Sequence, residues 1–342
     1  MLTPRKPVFQ VLCSLGLSLM LFVTGCGSGS QNAAGGQNAA NSQPTTAATT
    51  APASTPASSD TRSEVRKIKH AMGETELKGD PQRVVILTNE GTEALLSLGV
   101  KPVGAVKSWQ GEPWYDHIKE QMQGVTDLGE ETQPNIELIA SLKPDLIIGN
   151  KVRQEKIYSQ LSSIAPTVFA EDLSGSWKIN FKLYAETVNK KAEGDKLLAS
   201  FDQRVEEAKT KLGEKTKTKV SIVRFLPGKV RLYMKDTFAG VLFNQLGFAR
   251  PASQDKDEFM QVIAKEQMAE ADGDVLFYWV SDYDDKAAAT YRDEWVNDPL
   301  WKNLSVVKNN QVFQVNEVIW NTGGGILSAN LLLDEIVAHF SK

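Results

Sequence analysis

Very few residues in this chain could support metal or thiol chemistry. Of 342 residues only Cys13 and Cys26 are cysteine, and only His70, His117 and His339 are histidine. Everything after residue 26 is free of thiols, so disulfides, thiolate nucleophiles and Cys-ligated metal or iron–sulfur centres are excluded there together. No two histidines lie within helical or loop reach of each other. Each reads as a surface or packing residue, which argues against a free-metal site and leaves no cofactor to expect. Gly27-Ser28-Gly29 and Ser174-Gly175-Ser176 do not supply the Gly-x-Ser-x-Gly frame of an α/β hydrolase. Gly323-Gly324-Gly325 is not followed by Lys-Ser or Lys-Thr, so it is no phosphate loop and reads as the turn into a last helix. No enzyme is expected. Beyond residue 23, no apolar run approaches the ~18 residues of a membrane span.

The N-terminus is rich in signal instead. Arg5 and Lys6 precede a mostly apolar run from Val8 to Val23, and Thr24-Gly25 then stands directly before Cys26. The pattern is that of a signal peptide ending in a lipobox, whose cysteine is diacylated; two acyl chains anchor a protein stably where one would not. Cys26 is therefore the expected lipidation site, and the extracytoplasmic face of the cell membrane the expected location. Residues 27–60 are almost entirely Gly, Ser, Asn, Gln, Ala, Thr and Pro, with no aromatic residue. Such a segment cannot bury enough apolar surface to fold, and it reads as a disordered tether spanning roughly 30–35 Å. Loss of Arg5 and Lys6 with the signal lowers the basic count from 38 to 36 against 42 acidic residues, a net charge of −6. That balance argues against a nucleic-acid partner.

The remaining chain alternates short apolar runs with helical stretches. Val84–Leu87, Pro102–Val106, Asp145–Gly149 and Pro166–Phe169 read as strands, with Glu93–Leu98, Asn135–Leu142 and Gln154–Ile164 as helices between them. This predicts an α/β fold with a largely parallel sheet. The grammar returns later. Val220–Phe225, Val230–Tyr233 and Asp274–Val280 are strands, Gly240–Leu246 a helix and Lys265–Ala269 a helical turn. Glu137 precedes Asp145 by eight residues and Glu266 precedes Asp274 by eight, each Asp opening an apolar strand. Two lobes of similar build follow. Between them, apolar residues from Phe181 to Leu212 keep a spacing of three or four. Gly194 is costly inside a helix, so the spacing predicts a break near Asn189–Gly194 and a continuous helix over Ala192–Leu212, roughly 30 Å long. A helix joining two lobes resists bending, and large hinge closure is not expected. The resulting organisation is a signal peptide (1–25), tether (26–62), N-terminal lobe (63–176), linking helix region (177–213) and C-terminal lobe (214–342).

Longer phrases then match a known family. They are His70-Ala71-Met72-Gly73-Glu74-Thr75, Thr132-Gln133-Pro134-Asn135-Ile136-Glu137, Leu142-Lys143-Pro144-Asp145-Leu146-Ile147-Ile148, Ile164-Ala165-Pro166-Thr167-Val168 and Asn316-Glu317-Val318-Ile319-Trp320-Asn321. With the ending Gly324 to Ile336, the chain from residue 64 resembles the lipid-anchored substrate-binding proteins of ABC importers for ferric siderophores, a helix-linked bilobed class with its ligand cleft between the lobes. Taken together the phrases look most like the branch that binds hydroxamate or mixed citrate–hydroxamate ferric siderophores. The resemblance implies a monomer whose ligand is an iron(III)–siderophore complex and whose partner is an ABC permease dimer. It also implies that Glu137 and Glu266, one on each lobe, dock on permease arginines.

A ferric siderophore brings iron already coordinated, so its receptor needs cationic and hydrogen-bonding groups and aromatic walls, not metal ligands. Arg153 lies just past a strand. Arg224 lies inside one, where a charge is costly unless paired or wet. Trp109, Tyr233, Phe238 and Trp320 lie in loops or at strand ends and are candidate walls; Trp177, Trp279, Trp295 and Trp301 are assigned to packing. Ferric citrate or another chelate remains open as the ligand, as does a tethered sensor not coupled to import.

Overall fold

The computed structural model describes residues 65–175, 177–282 and 286–341. The signal segment, Cys26 and the tether lie outside the described residues. No helix among those described is long and apolar enough to cross a membrane.

The first half opens with an antiparallel hairpin, β1 (Val65–His70) and β2 (Gly73–Lys78). It is followed by β3 (Val84–Ile86), α1 (Asn89–Ser97), β4 (Gly104–Ala105), β5 (Thr126–Asp127) and a two-residue pairing of β6 (Gly129–Glu130) with β7 (Gln133–Pro134). Then come α2 (Ile136–Ser141), β8 (Leu146–Asn150), α3 (Lys151–Gln154), α4 (Tyr158–Ile164) and β9 (Thr167–Ala170). Five strands form one parallel sheet in the order β5-β4-β3-β8-β9. Both of its faces are covered: Val84, Ile86 and Ile148 join one apolar cluster while Val85, Ile147 and Phe169 join another. That explains the unbroken apolar runs, because a strand buried on both faces has no polar alternation to show.

Helices α5 (Trp177–Thr187) and α6 (Lys191–Leu212) lead to the second half. There β10 (Val220–Leu226), β11 (Lys229–Tyr233), α7 (Phe238–Leu246), β12 (Met260–Ile263), a 3₁₀ segment at Lys265–Ala271 and β13 (Val275–Val280) are followed by α8 (Ala287–Val296), α9 (Pro299–Asn303), α10 (Ser305–Lys308) and β14 (Val312–Gln314). A single π turn at Val318–Thr322 precedes α11 (Ile326–Phe340). The second sheet runs β12-β11-β10-β13-β14. Counted in chain order within each sheet, both orders are 3-2-1-4-5.

The repeated Asp phrase has a shared structural job. Asp145 accepts the backbone N–H groups of Gln82 (2.8 Å) and Arg83 (2.9 Å), and Asp274 accepts that of Lys219 (2.8 Å). Each carboxylate ties the start of its sheet's fourth strand to the start of the first. The halves differ in one respect. β11 is antiparallel to both of its neighbours, because only Pro227 and Gly228 separate it from β10, and two residues suffice for a hairpin but not for a crossover.

The long helix is close to its predicted span. The break falls at Asn189, whose φ is +58°, and α6 starts at Lys191. Gly194 therefore lies inside the helix rather than at its interruption. A Cβ there would stand 2.5 Å from that of Ala185, so glycine is what lets α5 and α6 approach so closely.

Helix α11 returns across the molecule to pack on α1 and α6, and one carboxylate fixes it there. Glu93 of α1 is fully buried. Its Oε2 accepts the Ser328 backbone N–H (2.8 Å), and its Oε1 accepts the Ser328 hydroxyl (2.5 Å) and pairs with His117 Nε2 (2.8 Å). An anion from the first half thus occupies the N-terminal turn of the last helix, where unpaired N–H groups favour it. The triple glycine makes room: a Cβ on Gly325 would meet that of Glu93 at 2.7 Å, and one on Gly323 would meet Ser328 Oγ at 2.0 Å. The other histidines are packing residues too. His70 Nδ1 accepts the N–H of Met72 (3.3 Å) and of Phe169 (3.2 Å), and His339 sits against Phe277 and Phe313.

Glu93→Ala removes the acceptor of three groups, the Ser328 N–H and hydroxyl and the His117 ring nitrogen, whereas Ser328→Ala removes one hydroxyl. The serine variant should lose about 1–3 kcal/mol in urea unfolding, and Glu93→Ala should lose more. Stability of Glu93→Ala equal to wild type would show that α11 is held by apolar contacts alone.

Candidate functional site

In open α/β sheets the crevice beyond the carboxyl ends of the strands, where the strand order reverses, is the favoured ligand position. Here the reversal lies between β3 and β8 in one sheet and between β10 and β13 in the other. A cavity of about 330 Å³ lies between these ends. From the first half it is lined by Asn89, Glu90, Trp109, Glu131, Arg153, Leu173 and Ser174. The second half contributes Arg224, Leu226, Arg231, Tyr233, Phe238, Phe259 and the turn Asn321–Gly324.

Arg224 is both paired and turned toward the cleft. Its Nη2 donates to Glu317 Oε1 (2.7 Å), Nη1 to the Tyr233 hydroxyl (2.8 Å) and Nε to Ser281 Oγ (2.7 Å). Ser281 donates in turn to Glu317 Oε1 (2.7 Å), and Gln110 Nε2 reaches from the opposite half to Glu317 Oε2 (2.8 Å). With side-chain exposures of only 11% and 3%, Arg224 and Glu317 form a buried pair. Much of the guanidinium is thereby spent on the fold.

Arg231 stands in a different position. It lies directly across from Arg224 in the β10–β11 ladder, so the two side chains project from the same face of the sheet. Its Nε is buried without a hydrogen-bond partner, and no carboxylate lies within ion-pair distance of it among the described residues. Like charges directly opposite destabilise a strand pair. The arrangement leaves a guanidinium in the cleft that an anion would complete.

On the other wall, Arg153 pairs with Glu131 (3.3 Å), and its guanidinium carbon lies 5.7 Å from the centre of the Trp109 ring, a cation–π distance. Glu131 also accepts Asn89 Nδ2 (2.7 Å). Gln154 Nε2 donates to the backbone carbonyls of Leu87 (3.1 Å) and Glu131 (2.7 Å), which fixes the loop that carries this carboxylate. Burial pushes the Glu90 carboxyl up to about 8, against the opposing pull of hydrogen bonds from Tyr184 and Asn180. Three guanidiniums, two of them paired to Glu131 and Glu317, thus share the cleft with a carboxyl that burial keeps from ionising readily, and the cleft leans cationic.

The structure brings Arg153, Arg224, Trp109, Tyr233 and Phe238 together around this cavity and leaves Trp320 out. That last expectation is corrected. Trp320 is buried at 2% exposure against Phe277, with ring centres 4.7 Å apart, and donates Nε1 to Glu335 (2.6 Å). The π turn carries it into the core. The four packing tryptophans are all buried. Glu137 and Glu266 are exposed, each the second residue of its helical element. Sequence reasoning missed Glu90, Glu131, Arg231, Phe259 and Glu317. Arg231 alone had a readable signal, because it shares alternation parity with Tyr233 along β11. Phe259 is partly exposed beside Tyr233, their ring centres 5.7 Å apart.

The two arginines should separate in unfolding experiments without ligand. Arg224→Ala strips the guanidinium from beside a buried carboxylate and should cost about 3–5 kcal/mol. Arg231→Ala relieves a like-charge neighbour and should leave stability unchanged or raise it by up to about 1 kcal/mol. Equal losses in the two variants would mean that Arg231 is structural as well.

Comparison with known proteins agrees with this geometry. The periplasmic binding protein family matches residues 84–318. The probable siderophore-binding lipoprotein YfiY of Bacillus subtilis is 53% identical over 289 residues, 82% of this chain and 89% of that protein. The achromobactin-binding periplasmic protein of Dickeya dadantii is 32% identical, over 75% of this chain and 85% of its own length. Among solved structures, Staphylococcus aureus SirA complexed with staphyloferrin B superposes with a TM-score of 0.76 at 37% identity, covering 81% of this chain and 98% of that one. The two-lobed α/β architecture, the cleft between the lobes and these matches establish that the chain belongs to the periplasmic binding protein family.

Proposed function

We propose that this protein captures an anionic ferric siderophore of the citrate type, including citrate–hydroxamates, and delivers it to an ABC permease without chemical change. The observation that carries this reading is the set of three arginines, Arg153, Arg224 and Arg231, around a cleft with the aromatic surfaces of Trp109, Tyr233 and Phe259. Guanidiniums recognise carboxylates in bidentate fashion, and aromatic walls suit the organic shell of a chelate. Among the described residues no group of His, Cys, Asp or Glu could hold a bare metal ion. The iron would arrive with its coordination shell already filled. A relative named for ferric citrate supports this ligand class, and others named for achromobactin or solved with staphyloferrin B support a ferric-siderophore ligand more broadly.

Quenching of tryptophan fluorescence measures binding directly, because the ferric chromophore accepts energy from nearby Trp109. Ferric staphyloferrin B and ferric dicitrate should quench at lower concentration than a neutral ferric tris-hydroxamate or ferri-bacillibactin. Binding of the neutral or tris-catecholate chelates alone would overturn the assignment to citrate-type ligands.

Delivery rests on Glu137 and Glu266. Each opens the element that leads into the fourth strand of its sheet, α2 before β8 and Lys265–Ala271 before β13. An element that returns to begin a parallel strand starts at the opposite edge of the sheet. Both glutamates therefore start at the cleft edge, where a permease meeting both lobes would find them. With both changed to Ala, chelate affinity of the purified protein should be nearly intact while cellular iron–siderophore uptake falls sharply. Exposed ion pairs are each worth only about 0–1 kcal/mol, so single variants should be milder. Normal uptake by the double variant at equal expression would favour a tethered sensor. Cys26 would hold the protein at the membrane, and Cys26→Ala should abolish detergent-phase partition.

A further inference from the structure

Glu90 takes no part in the charge pairs that organise the cleft, yet it lines it. It is the second residue of α1 and only 8% exposed. Oε1 accepts two hydrogen bonds from α5, one from Asn180 Nδ2 (2.7 Å) and one from the Tyr184 hydroxyl (2.9 Å). The Asn180 amide is oriented by a second bond, from Nδ2 to the Asp172 carbonyl (2.7 Å), so it presents a donor to Glu90. Oε2 has no protein hydrogen-bond partner among the described residues. With Asn180 and Tyr184 donating to Oε1, a neutral carboxyl carries its proton on the open oxygen, Oε2.

The groups around Glu90 disfavour a second negative charge. Glu131, in the β6–β7 turn, and Asp172, after β9, both act on it as like charges. Helix α5 offers neutral Asn180 and Tyr184, and burial raises the tyrosine hydroxyl well above its ordinary value, so it remains a donor. The turn into α11 brings Gly324 and Gly325 against it, and the other residues of that turn lining the cavity, Asn321 to Gly323, carry no charge. Glu93, three residues on along α1, is committed to Ser328 and His117. The cations Arg153, Arg224 and Arg231 line the same cavity, with Arg153 and Arg224 paired to Glu131 and Glu317.

We propose that Glu90 enters the complex as the neutral acid and donates its Oε2–H to an acceptor oxygen of the ferric chelate, so that capture is coupled to one proton. This deepens the ferric-chelate reading above and rests on it. It assigns to Glu90 a part in selection: an ionised Glu90 would set a carboxylate against an anionic ligand, while the acid turns the same position into a donor. A chelate with an uncoordinated carboxylate or carbonyl oxygen at that point is favoured over one that presents only donors.

The probes are ferric staphyloferrin B and ferric dicitrate, titrated by fluorescence quenching between pH 6 and pH 9. With the carboxyl pushed up to about 8, wild-type affinity should be full below pH 7 and about tenfold weaker at pH 9. Glu90→Gln retains a neutral donor and should stay flat across the range, which also controls for titration of the chelate. Calorimetry of the wild type in two buffers of different ionisation enthalpy should find uptake of most of one proton per chelate at pH 8.5 and almost none at pH 6.5. Superimposable pH profiles for wild type and Glu90→Gln, or no proton uptake at pH 8.5, would overturn the proposal while leaving the ferric-chelate reading in place.

A ligand-free measurement judges Glu90 independently of the chelate. A carboxyl raised on folding from 4.5 to about 8 contributes stability that is fully present below pH 4.5 and is lost as pH rises through about 8. Wild type should therefore lose stability relative to Glu90→Gln across that window. If neither chelate binds at any pH, the preceding reading fails. A constant difference in stability between the two proteins means that Glu90 is ionised in the fold, and the proposal fails with it.

Discussion

A guanidinium on an interior strand has to be desolvated, and only a matched arrangement of acceptors makes that tolerable. At Arg224 the arrangement draws on β11 through Tyr233, on the residue after β13 through Ser281, and on the segment after β14 through Glu317. Gln110 then extends the network into the other half by holding the same carboxylate. The cleft floor is therefore a polar lattice whose members fix one another. Among the described residues Arg231, placed by the same ladder, has no carboxylate partner, and Glu90, placed by α5, has one oxygen to spare. A rigid, satisfied pair beside incompletely satisfied groups is what a preorganised receptor requires, because the ligand then finds its partners already in position.

The two halves reach this cleft through similar sheets held by different means. The first half is a parallel sheet with a helix between its first two strands. The second replaces that crossover with a hairpin, which brings Arg224 and Arg231 face to face. A crossover helix there would leave no antiparallel register to align them. Around the cleft, α6 and α11 bind the halves together, and Arg204 of α6 reaches Asp334 of α11 (2.5 Å). With Glu93 seated in the first turn of α11, movement of one half against the other has to begin at buried polar contacts.

How legible this was in the sequence depended on where the determining contacts lie. Strands such as Val84–Ile86 and Val275–Val280 were plain because double-sided burial writes a continuous apolar run. Helix α6 was plain because its buried residues repeat every three or four positions. The two-lobed plan, the family and five of the six expected cleft residues followed from local phrases. Trp320 failed because an aromatic residue in a loop-like phrase looks the same whether its turn points it outward or inward. Here a π turn and Glu335 decide for inward. Glu317 and Glu131 were unreadable for a related reason. Each gains its role from an arginine 93 or 22 residues away in sequence, and nothing local marks a carboxylate as buried.

The β1–β2 hairpin closes the outer edge of the first sheet. Phe169 of β9 receives the Ala71 N–H at its carbonyl (3.0 Å) and gives its own N–H to His70, so the groups it turns away from β8 are already occupied. Without the hairpin that strand would be an open template for pairing with another chain. Both the hairpin and α11 lie outside residues 84–318, the stretch matched by the family. A fragment trimmed to that stretch would retain the cleft residues from Asn89 to Phe259 but lose the turn Asn321–Gly324, and it would expose a sticky sheet edge on one side and an uncapped buried carboxylate on the other. The segments that seal the sheet edge and cap Glu93 are thus largely distinct from those that line the cleft.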